Sequence, residues 1–198
     1  MNQDFEVDIT DKQVVSFQET VFLSIDRVTT GTEIEWMRGL YDQLFDDRWG
    51  EEEGRYFDLG GQRAHTGKDL LPQILGPETR FPELRETTYF RNAVTITARL
   101  LDVESSTVSG GGHMILKPGG YGRETPWHQD EAYWNPHELP NRLSAWLPLD
   151  PATLESGCLQ FIPKSHKGEV VDHRHVDNNP LVHALVADHV DSLQAIVC

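Results

Sequence analysis

The spacing of hydrophobic positions changes near residue 102. Upstream, apolar residues recur at helical intervals; downstream, they come in short runs bounded by Gly and Pro. Thr10 and Gln13 stand three apart, as in a capping box, and predict a helix over Lys12 to Thr20. Val21, Phe22, Leu23 and Ile25 predict a short strand. Thr30 and Glu33 repeat the capping spacing, and Ile34, Met37, Leu40, Tyr41, Leu44 and Phe45 then fall on one helical face, a stripe that reads as core. Residues 46–66 mix acidic residues, glycines and aromatics without period and predict a loop. That loop is long enough for a lid or pocket wall, and equally suits a solvated connection. A third helix is expected from Pro82, a good first helical residue, to about Leu101, with Phe90, Val94 and Leu101 on its apolar side.

Beyond residue 102, His113 to Lys117 predicts a strand closed by the turn Pro118-Gly119-Gly120. Trp127 to Ala132 predicts another. Arg142 to Leu149 alternates, with Leu143, Ala145 and Leu147 on one side and Ser144 and Trp146 on the other. Cys158 to Ile162 follows the turn Glu155-Ser156-Gly157 and ends at Pro163. The pattern predicts a single α+β domain: a mainly helical cover over 1–102, then jelly-roll strands over 103–198. The final run, Leu193 to Cys198, is apolar and β-prone, and an unpaired apolar edge is an aggregation hazard. It is read as a jelly-roll cut before its last strands; a terminal strand that finds a partner is the alternative.

The chain has 198 residues, 17 Lys+Arg against 32 Asp+Glu, and a net charge of −15. One domain of this length buries a real core. Its acidity argues against sequence-independent nucleic-acid binding and against anionic membrane surfaces. Cys158 and Cys198 make no disulfide framework and read as reduced thiols. The acidic N-terminus lacks a signal-peptide core, and no run approaches the ~18 apolar residues of a membrane span, so the expected location is the cytoplasm.

The candidate chemistry sits in TPWHQDEAYW. In a strand, His128 and Asp130 point to the same face and Gln129 away from it. One imidazole and one carboxylate then converge, which is two-thirds of the 2-His-1-carboxylate triad of Fe(II) oxygenases. Taken alone, the tripeptide is more often a His–Asp hydrogen bond in a sheet.

LKPGG, TPWHQDEAYW and NRLSAWLPLDPATLESGCLQFIPKSHKG together resemble the phytanoyl-CoA dioxygenase family of Fe(II)/2-oxoglutarate-dependent oxygenases, over roughly residues 8–190. ITDKQVVSFQETVFLSIDRV and EIEWMRGLYDQLF are similar to the opening of that family. The resemblance implies a double-stranded β-helix (jelly-roll) with N-terminal covering helices. It also implies Fe(II) and the cosubstrate 2-oxoglutarate, with O2 and a small-molecule substrate as reaction partners. His128 and Asp130 match the first two iron ligands. Trp146 matches an aromatic beside 2-oxoglutarate, with a core tryptophan as its other reading. His113 and Lys117 match positions where cosubstrate contact is possible, though Lys117 also suits a solvated strand end. Tyr133 and Trp134 are candidates for the substrate wall, with an aromatic core or rim as the equal alternative.

The family's third ligand, a histidine, and the basic residue that pairs with 2-oxoglutarate come from strands further along, and residues 183–198 match only the approach to them. His166, His173, His175, His183 and His189 are misplaced for the role. His173-x-His175, beside Asp172 and Asp177, is read as a charged loop rather than a second metal site. The implied reaction couples decarboxylation of 2-oxoglutarate to hydroxylation of an unactivated carbon. The −15 charge disfavours a polyanionic CoA thioester as substrate. Two rival readings remain: a catalytically incompetent fragment or pseudoenzyme acting as a non-catalytic binding protein, and a small-molecule-binding barrel whose HQD is structural. Oligomeric state is not encoded in any motif.

Overall fold

The computed structural model describes residues 5–61, 67–134, 137, 141–180 and 182–197. Three helices and seven short strands carry the fold: α1 (Asp11–Thr20), α2 (Gly31–Asp46), β1 (Tyr56–Asp58), β2 (Pro72–Leu75), α3 (Thr88–Leu101), β3 (His113–Ile115), β4 (Gln160–Phe161), β5 (His173–His175), β6 (Leu185–Ala187) and β7 (Ile196–Val197).

α1 starts as its capping box requires. The Thr10 hydroxyl accepts from Gln13 N, and Thr10 N donates back to Gln13 Oε1. Val21, expected in a strand, instead ends the helix in the left-handed region at φ 80°, and the apolar run after it forms no strand. Leu23 and Ile25 pack as single side chains on the Ile9–Ile96–Leu100 cluster. α2 is capped by Thr30 and buries Met37, Leu44 and Phe45, the centre of its apolar stripe.

The Glu33 carboxylate does not close a box on its own helix. It is buried, takes the Thr29 hydroxyl, and accepts Thr88 N at 2.8 Å and Tyr89 N at 3.0 Å. It thereby satisfies free amides at the start of α3, a helix end that also favours negative charge. This explains why the third helix starts at Thr88 and not at Pro82. Pro82–Glu86 is a separate 3-10 turn, and Thr87 caps α3 through Phe90 N. The buried side of α3 also differs from the expected one. Thr88, Asn92, Ile96, Ala98 and Leu100 are buried, while Phe90, Val94 and Leu101 are only partly covered. Asn92 was hidden from periodicity because it is polar. Its side chain takes Val7 N and donates to Phe5 O and Val28 O, tying the N-terminal segment to the helical layer.

The loop expected over 46–66 contains a strand. β1 pairs antiparallel with β2, and β2 with β3, in the order β1-β2-β3. Part of the sheet therefore precedes residue 102, within the mainly helical part of the chain. Leu44, Phe45, Tyr56 and Ile74 form the core between α2 and this sheet. Its described part, residues 46–61, is tied down, and residues 62–66 lie outside the described residues. Leu59 packs on the Val176–Val182–Ala184 cluster, and Gly60 O accepts from Arg123 at 2.7 Å.

Two small sheets complete the fold. β4 pairs with β7 and β5 with β6, both antiparallel. The apolar run near residue 196 is therefore paired through Phe161↔Ile196, although Ile196 and Val197 stay 45% and 47% exposed. His173–His175, expected in a charged loop, is strand β5. No closed barrel forms among the described residues. Trp127–Ala132 and Arg142–Leu149, both expected as strands, run outside any ladder, and Asp130–Tyr133 is a 3-10 turn. Alternation signals a strand only when a partner supplies the hydrogen bonds. Cys158 is a buried free thiol; Cys198 lies outside the described residues. No helix among the described residues is long and apolar enough to cross a membrane.

Candidate metal centre

Gln129 has extended angles, φ −108° and ψ 127°, so the residues flanking it project to the same side even without a ladder. His128 Nε2 lies 3.3 Å from Asp130 Oδ1. His128 Nδ1 lies 2.8 Å from Pro126 O, a carbonyl that can only accept, so Nδ1 carries the hydrogen. In the neutral ring the Nε2 lone pair then faces a carboxylate oxygen, two acceptors with nothing to share but a cation. Two ligand atoms at right angles, each about 2.1 Å from a metal, stand roughly 3 Å apart. The pair fits two adjacent positions on a divalent ion. Without a metal, a proton takes that place: the hydrogen bond to Asp130 raises the His128 pKa, and the same bond lowers that of Asp130.

Outer contacts fix both groups. Ser144 Oγ donates to Asp130 Oδ2 at 3.0 Å, leaving Oδ1 turned toward the imidazole. The His128 ring meets the Tyr133 ring edge-on, with centroids 5.7 Å apart and planes at 83°. Tyr133 Oη accepts Leu185 N at 2.7 Å. Tyr89, at the start of α3, donates its hydroxyl to Ala145 O at 2.8 Å, one residue from Ser144. Ser144 shares the side of Trp146 in the alternating pattern, the one signal in the sequence that pointed to it. Nothing in the sequence pointed to Tyr89.

The remaining candidates are placed as follows. His113, on β3, is electrostatically coupled to Asp130; desolvation lowers its pKa and the carboxylate opposes this, so the imidazole favours the neutral form. Lys117 Nζ donates to Gly157 O at 2.7 Å, which engages its ammonium with the turn before β4. Tyr133 and Trp146 are 48% and 47% exposed, bare aromatic surface in the same stretch of chain as the ligand pair. Trp134 lies under the Arg142 guanidinium, 5.3 Å from its ring centre. Four other histidines are engaged elsewhere: His166 with Gln18 O, His173 with Gln129 N and Val171 O, His175 with Val182 O, and His183 with the Phe57 ring. Among the described residues no group of three His, Cys, Asp or Glu side chains is arranged to hold a metal. His128 and Asp130 stand as a pair of potential ligand atoms with no third beside them among the described residues.

The profile of the family described as phytanoyl-CoA dioxygenase (PhyH) matches residues 17–188. A probable alpha-ketoglutarate-dependent hypophosphite dioxygenase of Stutzerimonas stutzeri is 36% identical over 70 residues, covering 35% of this chain and 24% of that protein. A phytanoyl-CoA dioxygenase domain-containing protein 1 of Bos taurus is 43% identical over 56 residues, covering 28% of this chain and 19% of the relative. The chain thus spans a quarter or less of these curated relatives in alignment. Similarity to a solved structure extends further. EvdO2 from Micromonospora carbonacea var. aurantiaca, crystallised with 2-oxoglutarate, superposes with a TM-score of 0.78 at 35% identity, covering 98% of this chain and 78% of EvdO2. The jelly-roll relationship inferred from the strand pattern therefore holds at the level of the neighbouring fold. With most of its length matched and the His128–Asp130 pair in place, the chain belongs to the phytanoyl-CoA dioxygenase family.

Proposed function

We propose that this chain anchors the iron of an Fe(II)- and 2-oxoglutarate-dependent dioxygenase that hydroxylates a small organic substrate. The observation that carries the reading is the 3.3 Å approach of His128 Nε2 to Asp130 Oδ1, with the imidazole hydrogen committed to Pro126 O on the far side. When bound, iron and 2-oxoglutarate supply the oxidation: O2 is consumed, the cosubstrate leaves as succinate and CO2, and one oxygen enters a substrate C–H bond.

The protein's own part is orientation. Pro126 O selects the tautomer that presents Nε2, a role typical of the partners behind metal-bound imidazoles. Ser144 occupies Asp130 Oδ2, so the carboxylate offers one oxygen to the metal. Tyr133 packs on the imidazole and restricts its rotation. Tyr133 and Trp146 provide exposed aromatic surface for an apolar substrate face, with Trp134 beside them in the chain. His113 and Lys117 are the candidate contacts for 2-oxoglutarate, His113 through its position near Asp130. The net charge of −15 favours a substrate with little negative charge of its own.

Anaerobic addition of Fe(II) and 2-oxoglutarate tests the reading. A weak visible charge-transfer band is expected for the wild type and absent from His128→Ala and Asp130→Ala, with 2-oxoglutarate turnover to succinate following the same order. The lack of a three-ligand group among the described residues favours one rival, a non-catalytic binding protein of the same fold. A wild-type chain with neither band nor turnover establishes that rival.

A further inference from the structure

We propose that His173 is a positioning residue for the ligand pair: its imidazole locks the peptide between His128 and Asp130. The functional consequence rests on the oxygenase reading; the lock itself rests on geometry alone.

An extended chain bonds a neighbouring strand through groups on one side, and Trp127 O and Gln129 N are such a pair. Trp127 O accepts Ala187 N of β6 at 2.8 Å, a single strand-like backbone bond. Gln129 N does not meet a backbone carbonyl. It donates to His173 Nε2 at 3.0 Å. His173 on β5 is the register partner of Ala187 on β6, so both bonds come from one rung of the β5–β6 hairpin. The imidazole nitrogen stands where a strand carbonyl would otherwise accept, which accounts for a strand-like motif outside any sheet.

The arrangement fixes the roles of the two ring nitrogens. His173 Nδ1 donates to Val171 O at 2.7 Å, and Nε2 is the nitrogen that accepts from Gln129 N. Gln129 is clasped from its side chain as well. Its Oε1 accepts Val171 N at 2.9 Å, and its Nε2 reaches Glu169 O at 3.5 Å. Gln129 is thereby fastened to residues 169–173 by backbone and side chain together. The two ligands hang on either side of this fastened residue, and their 3.3 Å separation depends on its angles. Outer partners that orient metal ligands typically cost 10–100-fold in metal affinity when removed.

The test compares His173→Phe, which keeps a ring but no acceptor, with His173→Gln, which restores an acceptor. His175→Phe is the control, since His175 bonds Val182 O and does not touch the motif. The first readout is exchange of the Gln129 amide hydrogen, measured without metal. It is protected in the wild type, about tenfold or more faster in His173→Phe, and slowed again in His173→Gln. The second is Mn(II) affinity in the presence of 2-oxoglutarate, expected to fall about 10–100-fold in His173→Phe and to stay unchanged in His175→Phe. Unchanged Gln129 exchange in a folded His173→Phe overturns the lock. Faster exchange with unchanged Mn(II) affinity overturns the positioning role. Should His173→Phe fail to fold, the wild type decides: a Gln129 amide exchanging as fast as an unstructured one overturns the proposal. A wild type that protects Gln129 but binds no Mn(II) overturns the oxygenase reading instead and leaves the lock standing.

Discussion

The helical layer and the stretch from Glu124 to Leu149 are held together in opposite ways. α2 and α3 satisfy most of their backbone within their own turns, and side chains only finish their ends, as Thr30, Thr87 and Glu33 do. The described residues of 124–149 hold the candidate site and none of them is in a strand. Apart from the turn at Asp130–Tyr133, their backbone is held by groups arriving from elsewhere: Ala187 on Trp127, His173 on Gln129, Tyr89 on Ala145, and Arg38 on Leu149 O. Leu143 packs on the Ile9–Ile96–Leu100 cluster. The site stretch therefore depends on contacts from the helical layer and the β5–β6 hairpin, while the helices depend little on it. Changes in the layer should cost stability; changes in the site stretch should cost geometry.

Glu33→Gln is the largest expected break. A buried carboxylate that accepts two amides and a hydroxyl would become an amide with one acceptor oxygen, at a cost of about 2–3 kcal/mol. Chemical denaturation measures it. Burial pushes the Glu33 carboxyl up, but the Thr29 hydroxyl and the Thr88 and Tyr89 amides outweigh burial and leave its pKa below the ordinary 4.5. Its contribution is therefore complete above pH 4.5 and fades as pH falls through the lowered value. The wild type should lose stability in that acid range, and Glu33→Gln should flatten that part of the profile. A mutant as stable as wild type at pH 7 would mean that the layer does not depend on this contact.

Ser144→Ala comes next and should act on the other side of the contrast. Losing the donor to Asp130 Oδ2 frees the carboxylate to rotate, and Mn(II) affinity should drop about tenfold, the low end for such partners. The denaturation midpoint should barely move, because Ser144 is exposed. A loss of stability without loss of affinity would reverse the assignment of the two regions.

The same contrast explains what the sequence revealed. Capping boxes and apolar stripes are local, so α1 and α2 were legible from Thr10, Thr30 and the positions from Ile34 to Phe45. α3 was misplaced at its start because its first turn is capped by Glu33, 55 residues away. Strands need partners, and composition does not name them. β1 was hidden in a Gly-rich acidic segment, while Arg142–Leu149 had the alternation of a strand without a neighbour. At the site, His128 and Asp130 were legible because their two-residue spacing is a backbone property. Tyr89 and His173 were not, and Ser144 only through the alternation it shares with Trp146, since each acts through a tertiary hydrogen bond.

Tyr89→Phe has the smallest expected effect and gives the finest test, because Tyr89 belongs to both regions. Its backbone N is capped by Glu33, and its hydroxyl holds Ala145 O at 2.8 Å. Burial pushes the hydroxyl pKa up to about 12, so it remains a donor throughout the ordinary pH range and adds no pH dependence there. Removing the oxygen leaves the helix cap intact and deletes only the tether. The loss should be about 1 kcal/mol, a shift in melting temperature of roughly 2–4 °C for a chain of this size. If tethers set the site's geometry, Mn(II) affinity should fall several-fold, in the same direction as in Ser144→Ala and by less. The double variant should then lose less affinity than the two single losses combined, because releasing Ala145 already frees its neighbour Ser144. Full additivity would show that the Tyr89 tether and Ser144 act on the pair independently, and an unchanged affinity in Tyr89→Phe would show that the tether does not reach the site.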